Sequence, residues 1–311
     1  PFLLQVSHSA VHTPLSTTPE LLKKYEAKKP MPNYPSRPDY AGLLEELDQS
    51  VGKIFATVDR LGLGENTLIV FVSDNGGLQR EQGGTITTSN APLRSEKGTI
   101  YEGGIRVPCI ARWTGMISAA KQTNAIASTI DFYPTFLDVA QVPLGIGVPP
   151  MSSAADHGRD ARATQPLDGV SLQPLFQNAA ANLGRDTLYW HLPHYHRSTP
   201  ASAIRQGDWK LIEFFEDGGK FELYNLAGDP GEKNDLAARQ PERVKAMHAA
   251  LKSWRKEVQA QMPQRNPAYD PVREGEFWSR KTASPTRAPG SGRKGGEEGA
   301  ATAKRKKAGN R

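Results

Sequence analysis

Asp74 and Asn75 follow directly on the apolar run Thr67-Leu68-Ile69-Val70-Phe71-Val72 and its closing Ser73, and they precede Gly76-Gly77. A carboxylate and an amide carbonyl are hard oxygen donors. They suit Ca²⁺ or Mg²⁺ rather than thiophilic metals, which would need the Cys or His that this stretch lacks. A short, unbroken β-branched run bounded by glycine is expected to be a central parallel strand. In open α/β sheets ligands bind beyond the carboxyl ends of the strands, where this pair stands. Taken alone, Asp-Asn-Gly-Gly fits a plain turn equally well.

The block from Ala91 to Pro108 decides between the two. It contains Lys97-Gly98-Thr99-Ile100-Tyr101-Glu102-Gly103-Gly104-Ile105-Arg106, and its combination with Ser73-Asp74-Asn75-Gly76 resembles the type I sulfatases of the alkaline-phosphatase-like superfamily. The resemblance runs from about Phe2 to about Leu236. It implies that Asp74 and Asn75 are calcium ligands and that Lys97 binds the sulfate group. A lysine ammonium is a compact point charge able to face sulfate oxygens and a leaving oxygen together. Ser7-His8-Ser9-Ala10-Val11-His12-Thr13-Pro14 ends in the family's His-x-Pro, which implies that His12 contacts the ester and protonates the departing alcohol. Imidazole titrates near neutrality, as that role requires. Glu102 and Arg106 are read as an ion pair that holds the loop.

These residues need strands and a crossover to position them. Phe2-Leu3-Leu4-Gln5-Val6 is expected to be a second strand on the same rim. From Tyr40 to Leu63, Leu43, Leu44, Leu47, Val51, Ile54, Phe55 and Val58 recur at helical spacing and mark one apolar face. Strand, helix, strand predicts an α/β architecture, a mostly parallel sheet flanked by helices. A shorter helical turn is expected within Glu20–Lys29, and Pro108–Trp113 is expected to be a strand with Cys109 as a small core residue. Asp131, before Phe132-Tyr133-Pro134-Thr135, is expected to cap a helix. From Thr187 the pattern changes to short strands with tight turns: Leu188–His191, Ala203–Arg205, Trp209–Phe215 and Lys220–Tyr224, an antiparallel meander. A last helix, Glu242–Gln261, would pack Val244, Met247, Leu251, Trp254 and Val258 against it. The expected division is residues 1–180 for the C-terminal part of a catalytic domain, 181–278 for a small antiparallel subdomain and 279–311 for a basic tail. The loop His191-Leu192-Pro193-His194-Tyr195-His196 has the wrong context for zinc. His194, His196 and Arg205 are instead assigned to sugar recognition at the cleft mouth, with an exposed loop the equal alternative.

The 311 residues carry a net charge of +6, yet Ser279–Arg311 holds ten Lys or Arg against Glu297 and Glu298, so the remainder is close to −2. A Gly-, Ser-, Pro- and Ala-rich basic tail reads as solvated, and nucleic acid is not expected as a partner. No apolar run reaches membrane-spanning length, so no membrane partner is expected either. No signal peptide is found; the family resemblance implies a periplasmic or extracellular location. Cys109 is the single cysteine, which excludes an internal disulfide.

The family's nucleophile, a formylglycine made from the cysteine of Cys-x-Pro-x-Arg, has no counterpart. Asn33-Tyr34-Pro35-Ser36-Arg37 imitates the signature with an amide at the first position, and Cys109 lacks the Pro-x-Arg context. The chain thus reads as the C-terminal part of a calcium-dependent sulfatase acting on sulfated carbohydrate or aryl sulfate esters, inactive without the missing segment. Two other readings stay open: a phosphate or phosphonate ester hydrolase of the same superfamily, and a non-catalytic binder of sulfated glycans.

Overall fold

The computed structural model describes residues 1–79, 86–142, 167–216, 219–270 and 272. Residues 143–166, whose unpatterned mix of Gly, Ala and charge reads in the sequence as a low-order insertion, and the basic tail from 279 lie outside the described residues. Helix α1 (Pro19–Glu26) begins where Thr18 accepts the Leu21 N–H and proline occupies the first turn, where its missing donor costs nothing. It packs on α2 (Pro38–Arg60), tied by Lys24 to Glu45 at 2.7 Å and by the Thr17 hydroxyl to Glu46 at 2.9 Å. The face expected on α2 is half-buried at Leu43, Leu47, Val51, Ile54, Phe55 and Val58, whereas Leu44 is exposed.

Strand β1 (Ile69–Val72) returns from α2 and pairs antiparallel with β2 (Cys109–Arg112), Val72 opposite Cys109. Between them the chain forms the Ser73–Arg106 loop and one helical turn, α3 (Glu102–Ile105). Among the described residues every strand pair is antiparallel, and the expected parallel pairing is not seen. Phe2–Val6 forms no strand: Phe2, Leu3, Leu4 and Val6 are exposed. An apolar run of this length fits a strand without naming its neighbour, and among the described residues no strand pairs with it. Cys109 is exposed too, not a core residue, because β2 turns this part of its surface to solvent alongside exposed Ile110.

Helix α4 (Phe132–Val139) follows a short turn, Thr129–Asp131. Asp131 does not cap α4. Its carboxylate points back, accepting the N–H groups of Ser128 and Val170 and both guanidinium arms of Arg185 at 2.6 Å. Backward reach satisfies three donor groups at once, which a cap on one helix could not do. Helix α5 (Gln173–Gln177) then leads to the second sheet.

That sheet is an antiparallel meander of β3 (Thr187–Leu192), β4 (Ala201–Gln206), β5 (Trp209–Phe214) and β6 (Phe221–Asn225), in chain order. Successive side chains on a strand point to opposite faces, and the meander uses both. One face, with Ile204, Leu211 and Leu223, receives Met247 and Leu251 of α6 (Pro241–Glu257). The other, with Ala203, Ile212, Phe214 and Tyr224, receives Ile100 and Tyr101 from the loop after Lys97. The packing expected for α6 is found, except that Val258 lies just past the helix end and is exposed. The sheet is therefore filled between a helix and the loop that carries the candidate chemistry.

Leu251 has no exposed surface, and a cavity there cannot collapse against the sheet. Leu251→Ala is expected to lower stability by about 2–5 kcal/mol in urea denaturation. A loss below about 1 kcal/mol would show that α6 does not seal this core.

Candidate active site

The Asp74–Gly77 turn is stapled to the Lys97 loop by main-chain bonds. Gly76 N–H donates to Gly104 O at 3.0 Å, and Lys97 N–H donates to Gly77 O at 3.4 Å. Asn90 bridges the two segments: its carbonyl accepts Gly77 N–H at 3.0 Å, and its amide donates to Gly77 O at 2.7 Å and to Ser95 O at 3.0 Å. Gly76 sits so close to the backbone of Gly103 that a Cβ would collide with the Gly103 carbonyl. Only glycine permits that approach.

The side chains left over at this junction are the chemically useful ones. Asp74 is exposed and its carboxylate has no partner among the described residues. Asn75 donates through its amide nitrogen to Gly76 O at 3.1 Å, which leaves its carbonyl oxygen free. The half-buried Lys97 ammonium likewise has no partner among the described residues. Oxygen donors of this kind suit a hard divalent cation, and an ammonium suits an anion. Calcium takes six to eight oxygens, so Asp74 and Asn75 supply part of a shell, and no cluster of three or more His, Cys, Asp or Glu suited to a metal occurs among the described residues. The donors fit calcium in kind, with further ligands needed.

His196 also reaches this loop. Its ring packs on Gly98, whose φ of +83° and lack of a Cβ admit it, with Nδ1 3.4 Å from Gly98 O. Next to it, Arg197 N–H donates to Gly98 O at 3.3 Å and its guanidinium pairs with Glu96 at 3.1 Å. Thus the structure brings Asp74, Asn75, Lys97 and His196 onto one connected loop system. His194 is exposed two residues before His196. Arg205 lies at the end of β4 and donates to Gly207 O at 3.1 Å, closing its own turn. His12 is exposed, with Nδ1 2.8 Å from Thr13 O. A carbonyl only accepts, so Nδ1 carries the hydrogen and Nε2 is left free. No contact ties His12 to the Lys97 loop among the described residues, and His8 is held on α2 by Ser50 at 2.9 Å.

Behind the loop lies a polar seam with the second sheet. The expected Glu102–Arg106 pair exists at 3.8 Å, but a closer partner is Lys210 of β5, whose Nζ is 2.9 Å from Glu102 and 2.8 Å from Glu232. Glu232 also accepts the Glu102 N–H at 2.7 Å. Beside them Glu222 accepts from the Tyr101 hydroxyl at 2.8 Å, the Tyr224 hydroxyl at 2.7 Å and Lys220 at 2.7 Å, while Arg94 stacks on Tyr101 at 3.9 Å. Burial, and then the Glu222 carboxylate, push both phenols well above the usual tyrosine range. Burial pushes Glu222 upward, but its bonds from Lys220, Tyr224 and Tyr101 outweigh this and hold it below the usual carboxylate range. None of Asn90, Arg94, Lys210, Glu222 and Glu232 was singled out from the sequence. One signal was available: Lys210 shares the inward phase of its strand with Ile212 and Phe214, an odd place for an unpaired lysine.

Residues 1–142 match the Sulfatase family, and residues 158–261 match the family described as N-sulphoglucosamine sulphohydrolase, C-terminal. A sulfatase of Formosa agariphila is 35% identical over 276 residues, 82% of this chain and 46% of that protein. Human N-acetylgalactosamine-6-sulfatase is 30% identical over 265 residues, 79% of this chain and 46% of that protein. Among solved structures, Ps i-CgsB in complex with k-i-k-neocarrahexaose is similar with a TM-score of 0.62 and 26% identity, covering 88% of this chain and 52% of that one. The chain belongs to the sulfatase family. It spans about half the length of the curated relatives it matches.

The lowered pKa of Glu222 carries a pH dependence. Its stabilisation is fully present above the unfolded carboxylate pKa and is lost as pH falls through the lowered folded value. The thermal midpoint of the wild type is therefore expected to exceed that of Glu222→Gln above about pH 5, with the gap closing on acidification. A gap that stays constant down to about pH 3 would show that Glu222 is not stabilised as an anion.

Proposed function

We propose that this chain carries the calcium- and sulfate-binding part of a sulfate ester hydrolase acting on sulfated carbohydrate or aryl sulfate esters in the periplasm or outside the cell. One observation carries the reading: the segments bearing Asp74, Asn75 and Lys97 are tied by the Gly76–Gly104, Lys97–Gly77 and Asn90 bonds, and among the described residues the Asp74 carboxylate, the Asn75 carbonyl and the Lys97 ammonium have no partner. The named relatives are sulfatases of a sugar or of unspecified esters, which supports the substrate class.

Asp74 and Asn75 would hold Ca²⁺, which when bound supplies positive charge for sulfate oxygens. Lys97 faces the same anion and offsets charge that builds on the leaving oxygen. His12, with Nδ1 fixed on Thr13 O, binds or gives a proton through Nε2 once the ring is protonated. His194 and His196 present imidazole edges from the loop docked on Gly98, and Arg205 is the outermost member of the proposed sugar-binding set. No residue of the chain fits a formylglycine: Cys109, its one cysteine, lies in β2 without the Pro-x-Arg context. The nucleophile is therefore assigned to polypeptide outside these 311 residues, and the chain alone is expected to bind Ca²⁺ weakly and turn over nothing. Functionally, residues 1–180 hold the site, 181–278 brace it and 279–311 form the basic tail.

Calcium titration by calorimetry tests the metal assignment. Wild type is expected to bind, Asp74→Ala to lose about tenfold or more in affinity, and Lys97→Ala to keep it. Unchanged binding by Asp74→Ala would remove the metal role. In a full-length protein containing this chain and a matured formylglycine, Lys97→Ala should lower kcat/KM for a sulfate ester about 10²- to 10³-fold. Preference for a phosphate or phosphonate ester with the same leaving group would move the assignment to that reaction, and glycan binding without any turnover would make the protein a binder.

A further inference from the structure

The seam behind the loop contains a side-chain arrangement that the proposed chemistry does not use. Lys210 has no exposed surface, and Glu102 and Glu232 are 2% and 1% exposed. Lys210 comes from β5 and Glu232 from the segment after β6, while Glu102 opens α3. Glu232 holds φ +51°, a left-handed backbone that side chains seldom adopt, and so brings one carboxylate to both Lys210 Nζ and the Glu102 N–H. From Glu102 the connection to the site is one or two residues long. Gly103 N–H donates to Arg94 O at 2.7 Å, Gly104 O accepts Gly76 N–H at 3.0 Å, and Gly104 lies against the Glu96 and Thr99 carbonyls that flank Lys97.

We propose that Lys210 and Glu232 are positioning residues: an ion-paired clamp on Glu102 through which the C-terminal sheet sets the spacing between the Asp74–Asn75 turn and Lys97. The clamp touches neither metal nor sulfate. It holds α3 against Gly76 on one side and the Lys97 loop on the other; besides it, main-chain bonds and the Asn90 side chain tie the two segments together. Two carboxylates share one ammonium in a buried seam, so removing any member leaves another short of a partner. Burial raises the Glu232 pKa, the direction expected of a carboxylate held in this seam only by its partners. The inference rests on the reading of Asp74, Asn75 and Lys97 as the site, and two separate readouts keep the two distinguishable.

The test is hydrogen exchange on the full chain, comparing wild type, Lys210→Met, Glu232→Gln and a Leu251→Ala control that loosens the opposite face of the sheet. Gly76 and Gly103 amides are expected to exchange about tenfold faster in both seam variants, and to follow only the global stability change in the control. Tb³⁺ affinity, read by luminescence as a calcium probe, is expected to fall about tenfold in the seam variants and to hold in Leu251→Ala. Should Lys210→Met fail to fold, Glu232→Gln decides, because its amide carbonyl still accepts the Glu102 N–H. Wild-type exchange at Gly76 and Gly103 in folded Glu232→Gln would overturn the proposal. Absence of Tb³⁺ binding by wild type would instead overturn the metal reading, while the exchange result stood on its own.

Discussion

An ammonium without any exposed surface is held between two carboxylates where the second sheet meets the Lys97 loop. Removing a charge from water costs several kcal/mol, and the two carboxylates of Glu102 and Glu232 at 2.9 and 2.8 Å offset that cost. Such a group adds little net stability compared with an apolar core of the same volume. What it adds is register: only one placement of α3 on β5 satisfies it. The neighbouring bonds of Tyr101, Tyr224, Lys220 and Arg94 around Glu222 repeat the logic with a partly exposed rim. Loop and sheet are thus joined by directional contacts where an apolar interface would have allowed sliding.

This arrangement gives the small C-terminal sheet a role beside the proposed site. Its helix-side face is ordinary core, with Ile204, Leu211, Leu223, Met247 and Leu251. Its other face is a template for a loop that has few apolar residues of its own, Ile100 and Tyr101 being the anchors. The loop docks on the sheet, and among the described residues it leaves the Asp74 carboxylate, the Asn75 carbonyl and the Lys97 ammonium without partners. In the proposed site, oxygens and an ammonium that have no partner among the described residues would receive a cation and an anion without breaking an existing bond.

Much of this was legible beforehand. The strand ending at Val72, the helix over Pro38–Arg60, the four-stranded meander and the closing helix follow from periodicity and turn residues, with ends shifted by a few positions. The Lys97–Arg106 block identified the loop. Pairing was not legible: an apolar tetrapeptide says that it is a strand, not which strand lies beside it, and β1 found β2 where Phe2–Val6 was expected. Nor were Lys210 and Glu232, since a lone charge in a strand or turn gives no sign of partners more than a hundred residues away. The same holds for Arg205. Its residue type suits sugar recognition, and nothing in the sequence announces the bond its Nε makes to Gly207 O.

The central claim is that Asp74, Asn75 and Lys97 surround one cation and one tetrahedral anion. Crystals of the chain grown with Ca²⁺ and sulfate, with anomalous scattering used to locate the metal, test it directly. The account predicts an anomalous peak about 2.3–2.6 Å from oxygens of both Asp74 and Asn75, with sulfate density bridging it to the Lys97 ammonium. A peak placed elsewhere, or a sulfate bound away from Lys97 beside an occupied metal, would contradict it.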